Sequence, residues 1–229
     1  MIFRYARDPL LIQFQIAKLF RDKSSLLQSC YPEEKSKGLI KLIDMNVSNL
    51  EGDIVECGCY RGGGTIMIAE IIKEKGLAKH IYAFDSFEGL PDPNEKDKMR
   101  NGNICYSKGI LSDTSLGLVE AKAKFFKVNK IIRFFKGYFQ DTIPAAIQQN
   151  QKISVLIIDP DQYEGTKFCL EYFYMKMVKG GIVIVDDYSL PDMDDIDTPG
   201  VRSATDEFLR DKPEKIIHLA HSMYYFKKQ

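Results

Sequence analysis

The spacing of hydrophobic positions changes at residue 50 of the chain. Before that point, apolar residues recur every three to four positions, which is the spacing of one face of a helix. The second of these stretches begins at Pro32, a residue suited to the first turn of a helix, and continues through Ile43. We therefore predict that residues 1–50 form helices.

After residue 50, short apolar runs alternate with segments of helical periodicity. Five predicted strands occupy residues 53–58, 81–85, 131–135, 155–158 and 182–185. Four of them are nearly continuous apolar runs, as is typical of strands that are buried on both faces of a parallel sheet. Two more strands, 215–219 and 223–226, follow each other so closely that they must form a hairpin.

This alternation predicts an α/β fold with a mostly parallel seven-stranded sheet, an antiparallel C-terminal hairpin and helices on both faces. We expect two parts, an N-terminal helical extension over residues 1–50 and the sheet domain over residues 51–229. The polar segment 91–112 is predicted to be a mobile loop over the site, because it is rich in Pro, Gly and Asn.

Charge and composition exclude several classes of protein. Lys and Arg together number 32, as do Asp and Glu, so the formal net charge is zero and general nucleic-acid binding is not expected. Apolar runs are too short to span a membrane, and the N-terminus does not resemble a secretory signal. The five cysteines fit neither a disulfide framework nor zinc spacing, so we expect reduced thiols and a cytoplasmic protein.

Candidate ligand-binding residues follow the strands, because open α/β sheets bind ligands beyond the carboxyl ends of their strands. The first strand runs into Gly58 and Gly62, whose spacing is not that of a dinucleotide fingerprint. The second ends at Asp85, which can accept hydrogen bonds from both ribose hydroxyls. Together they favour an adenosine ligand without a pyrophosphate, such as S-adenosylmethionine. Tyr138 and Phe139, after the third strand, are placed to reach an adenine.

Four aspartates follow two strands that should be neighbours. Asp159 and Asp161 end the fourth strand, and Asp186 and Asp187 end the fifth. Carboxylates this close repel one another, and a hard cation such as Mg²⁺ relieves that repulsion through oxygen ligands. The alternative is that one or two of them only cap the helices that follow. The histidines have no ligand-like spacing, and we interpret His221, in the terminal hairpin, as structural.

Five segments together resemble the macrocin O-methyltransferase family of class I methyltransferases, which act on sugar hydroxyls. They are Gly52 to Gly63, Phe84 to Pro91, Gly137 to Pro144, Asp159 to Thr166 and Gly180 to Tyr188. The resemblance implies a Rossmann-like class I methyltransferase domain over residues 51–229. It also implies that the first two segments hold S-adenosylmethionine, through Glu56, Gly58, Tyr60, Arg61, Gly62, Asp85 and Ser86. In this family Asp159, Asp186 and Asp187 would hold a divalent metal, usually Mg²⁺, and Asp161 or Asp159 would act as the general base.

The function that we expect is metal-dependent methyl transfer from S-adenosylmethionine to a hydroxyl of a sugar or glycosylated small molecule. Two alternatives stay open, a nucleotide-dependent oxidoreductase and a non-catalytic S-adenosylmethionine-binding module. We expect neither a nucleic-acid nor a membrane partner, and we expect any homo-oligomer to form through the N-terminal helices. The sequence does not identify the acceptor.

Overall fold

The computed structural model describes residues 32–104, 106–189 and 198–229, so the helices predicted before residue 32 lie outside the described residues. The seven strands are β1 Asp53–Cys57, β2 Ile81–Asp85, β3 Ile132–Lys136, β4 Ile153–Ile158, β5 Met177–Val185, β6 Ile217–Ala220 and β7 Met223–Lys227. The helices are α1 Glu33–Asn46, α2 Gly63–Lys75, α3 Leu116–Phe125, α4 Phe139–Ala146, α5 Tyr163–Phe173 and α6 Pro199–Leu209.

The strands form one sheet in the order β3-β2-β1-β4-β5-β7-β6. Strands β1 to β5 pair in parallel, while β7 lies antiparallel between β5 and β6. This confirms the predicted sheet and its antiparallel hairpin. The chain leaves β1 for β2 on one side and returns to β4 on the other, which opens a crevice at the carboxyl ends of β1 and β4.

Gly180 and Gly181 do not mark the end of the helix that precedes β5. That helix, α5, ends at Phe173, and both glycines lie inside β5. Gly180 has a φ of +76°, and the β4–β5 pairing shifts its register between Ile153 and Val155. The glycines therefore mark an irregularity in a long strand, a role that glycine often has in sheets.

Helix α1 packs into the same core as the sheet. Two residues of this helix, Leu39 and Ile43, are fully buried, as is Val47 just beyond its end. They belong to one cluster with Ile54 of β1 and Ile66 of α2. Each such side chain stabilises the fold by about 1.5–3 kcal/mol relative to an exposed one. The boundary at residue 50 stays a prediction. No helix in the described segments is long and apolar enough to cross a membrane.

Gly58 lets the ends of β1 and β4 come together. It has a φ of +92°, and a Cβ atom at this position would lie 2.0 Å from the carbonyl oxygen of Asp159. Only glycine fits both the backbone conformation and this close approach. The turn after β1 and the first aspartate after β4 are thereby held side by side.

Candidate active site

A cavity of about 360 Å³ lies at the carboxyl ends of the parallel strands. Most of the site residues predicted from the sequence line it: Gly58, Tyr60, Asp85, Ser86, Tyr138, Phe139, Asp159, Asp161, Asp186 and Asp187. The structure thus brings together, in one space, the residues that were expected to bind the cofactor and those that were expected to bind a metal.

Asp85 is oriented by two backbone amides. Its Oδ1 accepts a hydrogen bond from the amide of Phe87 at 2.7 Å, and its Oδ2 accepts one from the amide of Tyr60, also at 2.7 Å. Burial raises the pKa of Asp85, and these amides act against that rise. Each carboxylate oxygen can accept further hydrogen bonds, so the side chain keeps the capacity to bind ribose hydroxyls.

The turn after β1 is also attached to the segment that precedes α3. The Tyr60 hydroxyl and the Arg61 guanidinium both contact the carboxylate of Asp113, and the Thr114 hydroxyl donates to the Tyr60 carbonyl at 3.2 Å. Arg61 therefore pairs with Asp113, and it does not contribute to the lining of the cavity.

Two more predicted cofactor residues, Glu56 and Gly62, are not among the residues that line the cavity. Glu56 is 1% exposed and accepts a hydrogen bond from the hydroxyl of Thr65. Burial raises the pKa of Glu56 to about 7. Gly62 precedes α2 with a φ of +75° and packs against Val119. Contacts of Glu56, Arg61 and Gly62 with a cofactor stay predictions.

The four aspartates after β4 and β5, here called the carboxylate cluster, are Asp159, Asp161, Asp186 and Asp187. Carboxylate oxygens of Asp159, Asp161 and Asp187 all lie within 4.8 Å of one another. Burial raises the pKa of Asp159 and Asp161 well above the usual range, and the charges of neighbouring aspartates add to the rise. Burial likewise raises the pKa of Asp186 to about 6.

Lys35 of α1 reaches the carboxylate cluster from a distant part of the chain. Its Nζ lies 2.5 Å from Oδ1 of Asp186 and 3.0 Å from Oδ1 of Asp187, and its side chain is 7% exposed. Burial disfavours the ammonium, but attraction to the aspartates outweighs this effect and raises the pKa of Lys35. No lysine or arginine directly follows β4 or β5 in the sequence. Local sequence patterns therefore did not indicate that a helix would supply this cation.

The cluster is compatible with a hard divalent cation. Its donor atoms are all oxygens, the ligand type that Mg²⁺ prefers. Oδ2 of Asp186 is buried and has no hydrogen-bond partner within the described part of the chain, a costly state that a metal ligand bond would relieve. The three aspartates whose oxygens lie within 4.8 Å of one another include Asp161, whereas the sequence predicted Asp186 as the third ligand. Asp186 contacts Lys35.

The turn between β6 and β7 also contributes to the cavity. The Ser222 hydroxyl donates to Oδ1 of Asp187 at 2.7 Å, and His221, with a φ of +51°, lines the cavity. His221 was interpreted as structural, but β6 runs parallel to β1–β5, so the turn that follows it lies at the same edge of the sheet as the aspartates. The hairpin connectivity was the signal that could have located it.

The loop 91–112 is held against the start of α5. The side-chain amide of Gln162 donates to the carbonyls of Pro91 at 3.1 Å and Tyr106 at 3.0 Å. The buried carboxylate of Asp97 accepts a hydrogen bond from the Tyr163 amide at 2.7 Å. Both Pro91 and Tyr106 line the cavity, so this loop forms one of its walls.

Comparison with known proteins adds an independent observation. The family model for Macrocin-O-methyltransferase (TylF) matches residues 34–228. Among curated relatives, the 8-demethyl-8-(2,3-dimethoxy-alpha-L-rhamnosyl)-tetracenomycin-C 4'-O-methyltransferase of Streptomyces olivaceus is 32% identical over 145 residues, covering 61% of this chain and 54% of that protein. Mycinamicin III 3''-O-methyltransferase of Micromonospora griseorubida is 30% identical over 145 residues, covering 61% of this chain and 56% of that protein.

The chain thus spans about half the length of the curated relatives it matches. Among solved structures, that of the O-methyltransferase NovP superposes with a TM-score of 0.75 at 24% identity, covering 97% of this chain and 100% of that one. This structural likeness establishes a shared fold.

Proposed function

The chain belongs to the Macrocin-O-methyltransferase (TylF) family, and from this membership we propose that it transfers a methyl group from S-adenosylmethionine to a hydroxyl of a sugar or glycosylated small molecule, with the help of Mg²⁺. The proposal rests on one observation above all. A single cavity combines the amide-oriented carboxylate of Asp85 with the carboxylate cluster.

Asp85 and its neighbours form the cofactor half of the cavity. We infer that Asp85 accepts hydrogen bonds from the ribose hydroxyls and that Tyr138 and Phe139, at the start of α4, contact the adenine. The backbone of Gly58 allows a close approach of the methionine end. The reactive methyl group would then lie between Asp85 and the carboxylate cluster.

The carboxylate cluster forms the acceptor half. Asp159, Asp161 and Asp187 would hold Mg²⁺, and Asp186 offers its buried oxygen as a further ligand. When bound, the cation would act as a Lewis acid that lowers the pKa of a nearby hydroxyl and orients it. His221 and Lys35 line the same cavity.

Asp161 or Asp159 would take the proton from the acceptor. Both carboxylates line the cavity that would hold the acceptor, where a positioned carboxylate can act as a general base. The acceptor oxygen forms a bond to the methyl carbon while the carbon–sulfur bond breaks. S-adenosylhomocysteine leaves, and the proton remains on the carboxylate. Holding both reactants in one cavity supplies much of the rate enhancement.

The charge of the cavity restricts the acceptor. Six carboxylate side chains line it among the described residues, the carboxylate cluster with Asp85 and Glu164. These carboxylates outnumber the positive charges of Lys35 and one divalent cation in the same cavity, so we expect a neutral or amino-substituted glycoside. The name of the Streptomyces olivaceus relative describes methylation of a rhamnosyl compound, which supports this choice.

A methyl-transfer assay tests the proposal. S-adenosylmethionine with an isotopically labelled methyl group is incubated with neutral glycosides, amino glycosides and sugar phosphates, and labelled products are sought by mass spectrometry. We expect label in a glycoside, loss of transfer with EDTA or in Asp159→Asn, and unchanged transfer in Glu51→Gln, an exposed position before β1. Transfer at full rate in excess EDTA contradicts the metal requirement, and NADH binding without S-adenosylhomocysteine binding supports the oxidoreductase alternative.

A cytoplasmic location and a homo-oligomer formed through the N-terminal helices stay predictions. Light scattering on the full chain and on a chain that begins at Pro32 measures whether residues 1–31 are needed for self-association. An oligomer that persists without them contradicts this mode of assembly.

A further inference from the structure

A rigid element brings Lys35 to the carboxylate cluster. Helix α1 is fixed against the sheet by Leu39 and Ile43, which are both fully buried. Lys35 lies one helical turn before Leu39, and its side chain is buried between α1 and the ends of the strands. The packing of α1 therefore fixes the position of this ammonium, whereas the side chain of an exposed lysine can move freely.

The ammonium contacts two aspartates that would also take part in metal binding. It lies within ion-pair distance of Oδ1 of both Asp186 and Asp187, while Oδ1 of Asp187 also accepts the hydrogen bond from Ser222. One ammonium balances one of the four negative charges of the ionised cluster. The site therefore still attracts a divalent cation, but an ammonium and a cation on shared carboxylates repel each other strongly in a buried setting.

We propose that Lys35 is a built-in counter-ion of the carboxylate cluster, which holds Asp186 and Asp187 in place in the absence of metal and competes with the divalent cation for them. This inference rests on the metal site of the proposed function. It assigns a positioning role to a residue of α1, outside the segments after β4 and β5 that supply the carboxylates.

The first test measures Mn²⁺ binding by calorimetry, without cofactor or acceptor, to the wild type and to Lys35→Met. Removing the competing charge should tighten Mn²⁺ binding by about tenfold or more. Lys37→Met is the matched control, because Lys37 lies on the same helix in an exposed pair with Glu33 and should leave the affinity unchanged. Equal or weaker Mn²⁺ binding in Lys35→Met overturns the proposal.

Lys35→Met removes one partner of a buried ion pair, which destabilises a protein. A second test therefore uses the wild type alone. Lys35 is acetylated with limiting reagent, with and without saturating Mg²⁺, and the labelled peptides are quantified by mass spectrometry. We expect several-fold faster labelling of Lys35 with Mg²⁺ and an unchanged rate at Lys37. Labelling of Lys35 that is indifferent to Mg²⁺ contradicts competition.

These outcomes separate the inference from the proposed function. Mn²⁺ binding by Lys35→Met but not by the wild type supports Lys35 as a competing counter-ion and contradicts the metal requirement of the wild-type enzyme. Binding by neither protein contradicts both. Binding by both with equal affinity leaves the metal requirement intact and contradicts only the role of Lys35.

Discussion

The backbone amide of Tyr60 donates a hydrogen bond to Oδ2 of Asp85 at 2.7 Å, which joins the turn after β1 to the end of β2. Tyr60 has a φ of +45°, and Phe87, whose amide binds the other oxygen of the same carboxylate, has a φ of +52°. Residues with side chains rarely adopt such conformations, and those that do cluster at functional sites. Two strained turns thus orient one carboxylate at the cavity.

Substitution of Asp85 should weaken cofactor binding. Asp85→Ala removes an acceptor for the ribose hydroxyls and leaves the amides of Tyr60 and Phe87 without their partner. We expect S-adenosylhomocysteine to lose about 1–3 kcal/mol of binding free energy, measured by calorimetry. Glu51→Ala, at an exposed position before β1, should bind as the wild type does. Equal affinities in all three proteins would contradict the role of Asp85 in cofactor binding.

Asp113 should support cofactor binding from outside the cavity. Asp113→Asn weakens its contacts with the Tyr60 hydroxyl and the Arg61 guanidinium, so the turn after β1 becomes less ordered. Because the pair is exposed, we expect only an about two- to fivefold loss in affinity for S-adenosylhomocysteine. Glu51→Gln breaks another exposed pair, with Lys152, and serves as the control. If both variants lose affinity equally, the contact has no specific role.

Gln162 should control the order of the loop 91–112. In Gln162→Ala the carbonyls of Pro91 and Tyr106 lose their shared donor, so we expect faster hydrogen exchange across this loop. In the wild type, cofactor should slow exchange in the same segment. Gln149→Ala, at an exposed position, should exchange as the wild type does. Unchanged exchange in Gln162→Ala shows that other contacts hold the loop.

Glu56 should make stability depend on pH. Its folded pKa of about 7 lies above the ordinary 4.5, so between these values the native state binds more protons than the unfolded state. The contribution of Glu56 to stability therefore falls as pH rises through this window. Glu56→Gln has no carboxyl at this position, so its stability does not show this pH dependence. Between pH 4.5 and pH 8, the free energy of unfolding of the variant should increase by up to about 3 kcal/mol relative to that of the wild type.

Urea unfolding of both proteins at several pH values measures this difference. Glu51→Gln, which alters an exposed carboxylate paired with Lys152, is the control and should follow the wild type. A constant difference between Glu56→Gln and the wild type across the pH range contradicts the raised pKa of Glu56.

The sheet and half of the site were predictable because their signals are local. Strands buried on both faces give continuous apolar runs, and the carboxyl-end rule then locates Asp85, Asp159 and Asp187 without knowledge of tertiary contacts. The glycine at position 58 was predictable in the same way, since a turn after β1 needs a residue without a side chain.

The other half of the site depends on packing between distant segments. Lys35 reaches the carboxylate cluster only because α1 docks on the sheet, which helical periodicity does not specify. Ser222 and His221 reach it because β7 inserts between β5 and β6. Glu56 belongs to a recognisable motif, yet its side chain contacts Thr65 because α2 begins directly behind β1.

The most direct test of the account is a crystal structure with S-adenosylhomocysteine and Mn²⁺, using the anomalous scattering of manganese to locate the ion. We predict that the ribose hydroxyls bind Asp85 and that an ion peak lies among the oxygens of Asp159, Asp161 and Asp187, with both ligands in the same cavity. Density for S-adenosylhomocysteine away from Asp85, or no manganese peak at this cluster under saturating Mn²⁺, would contradict it.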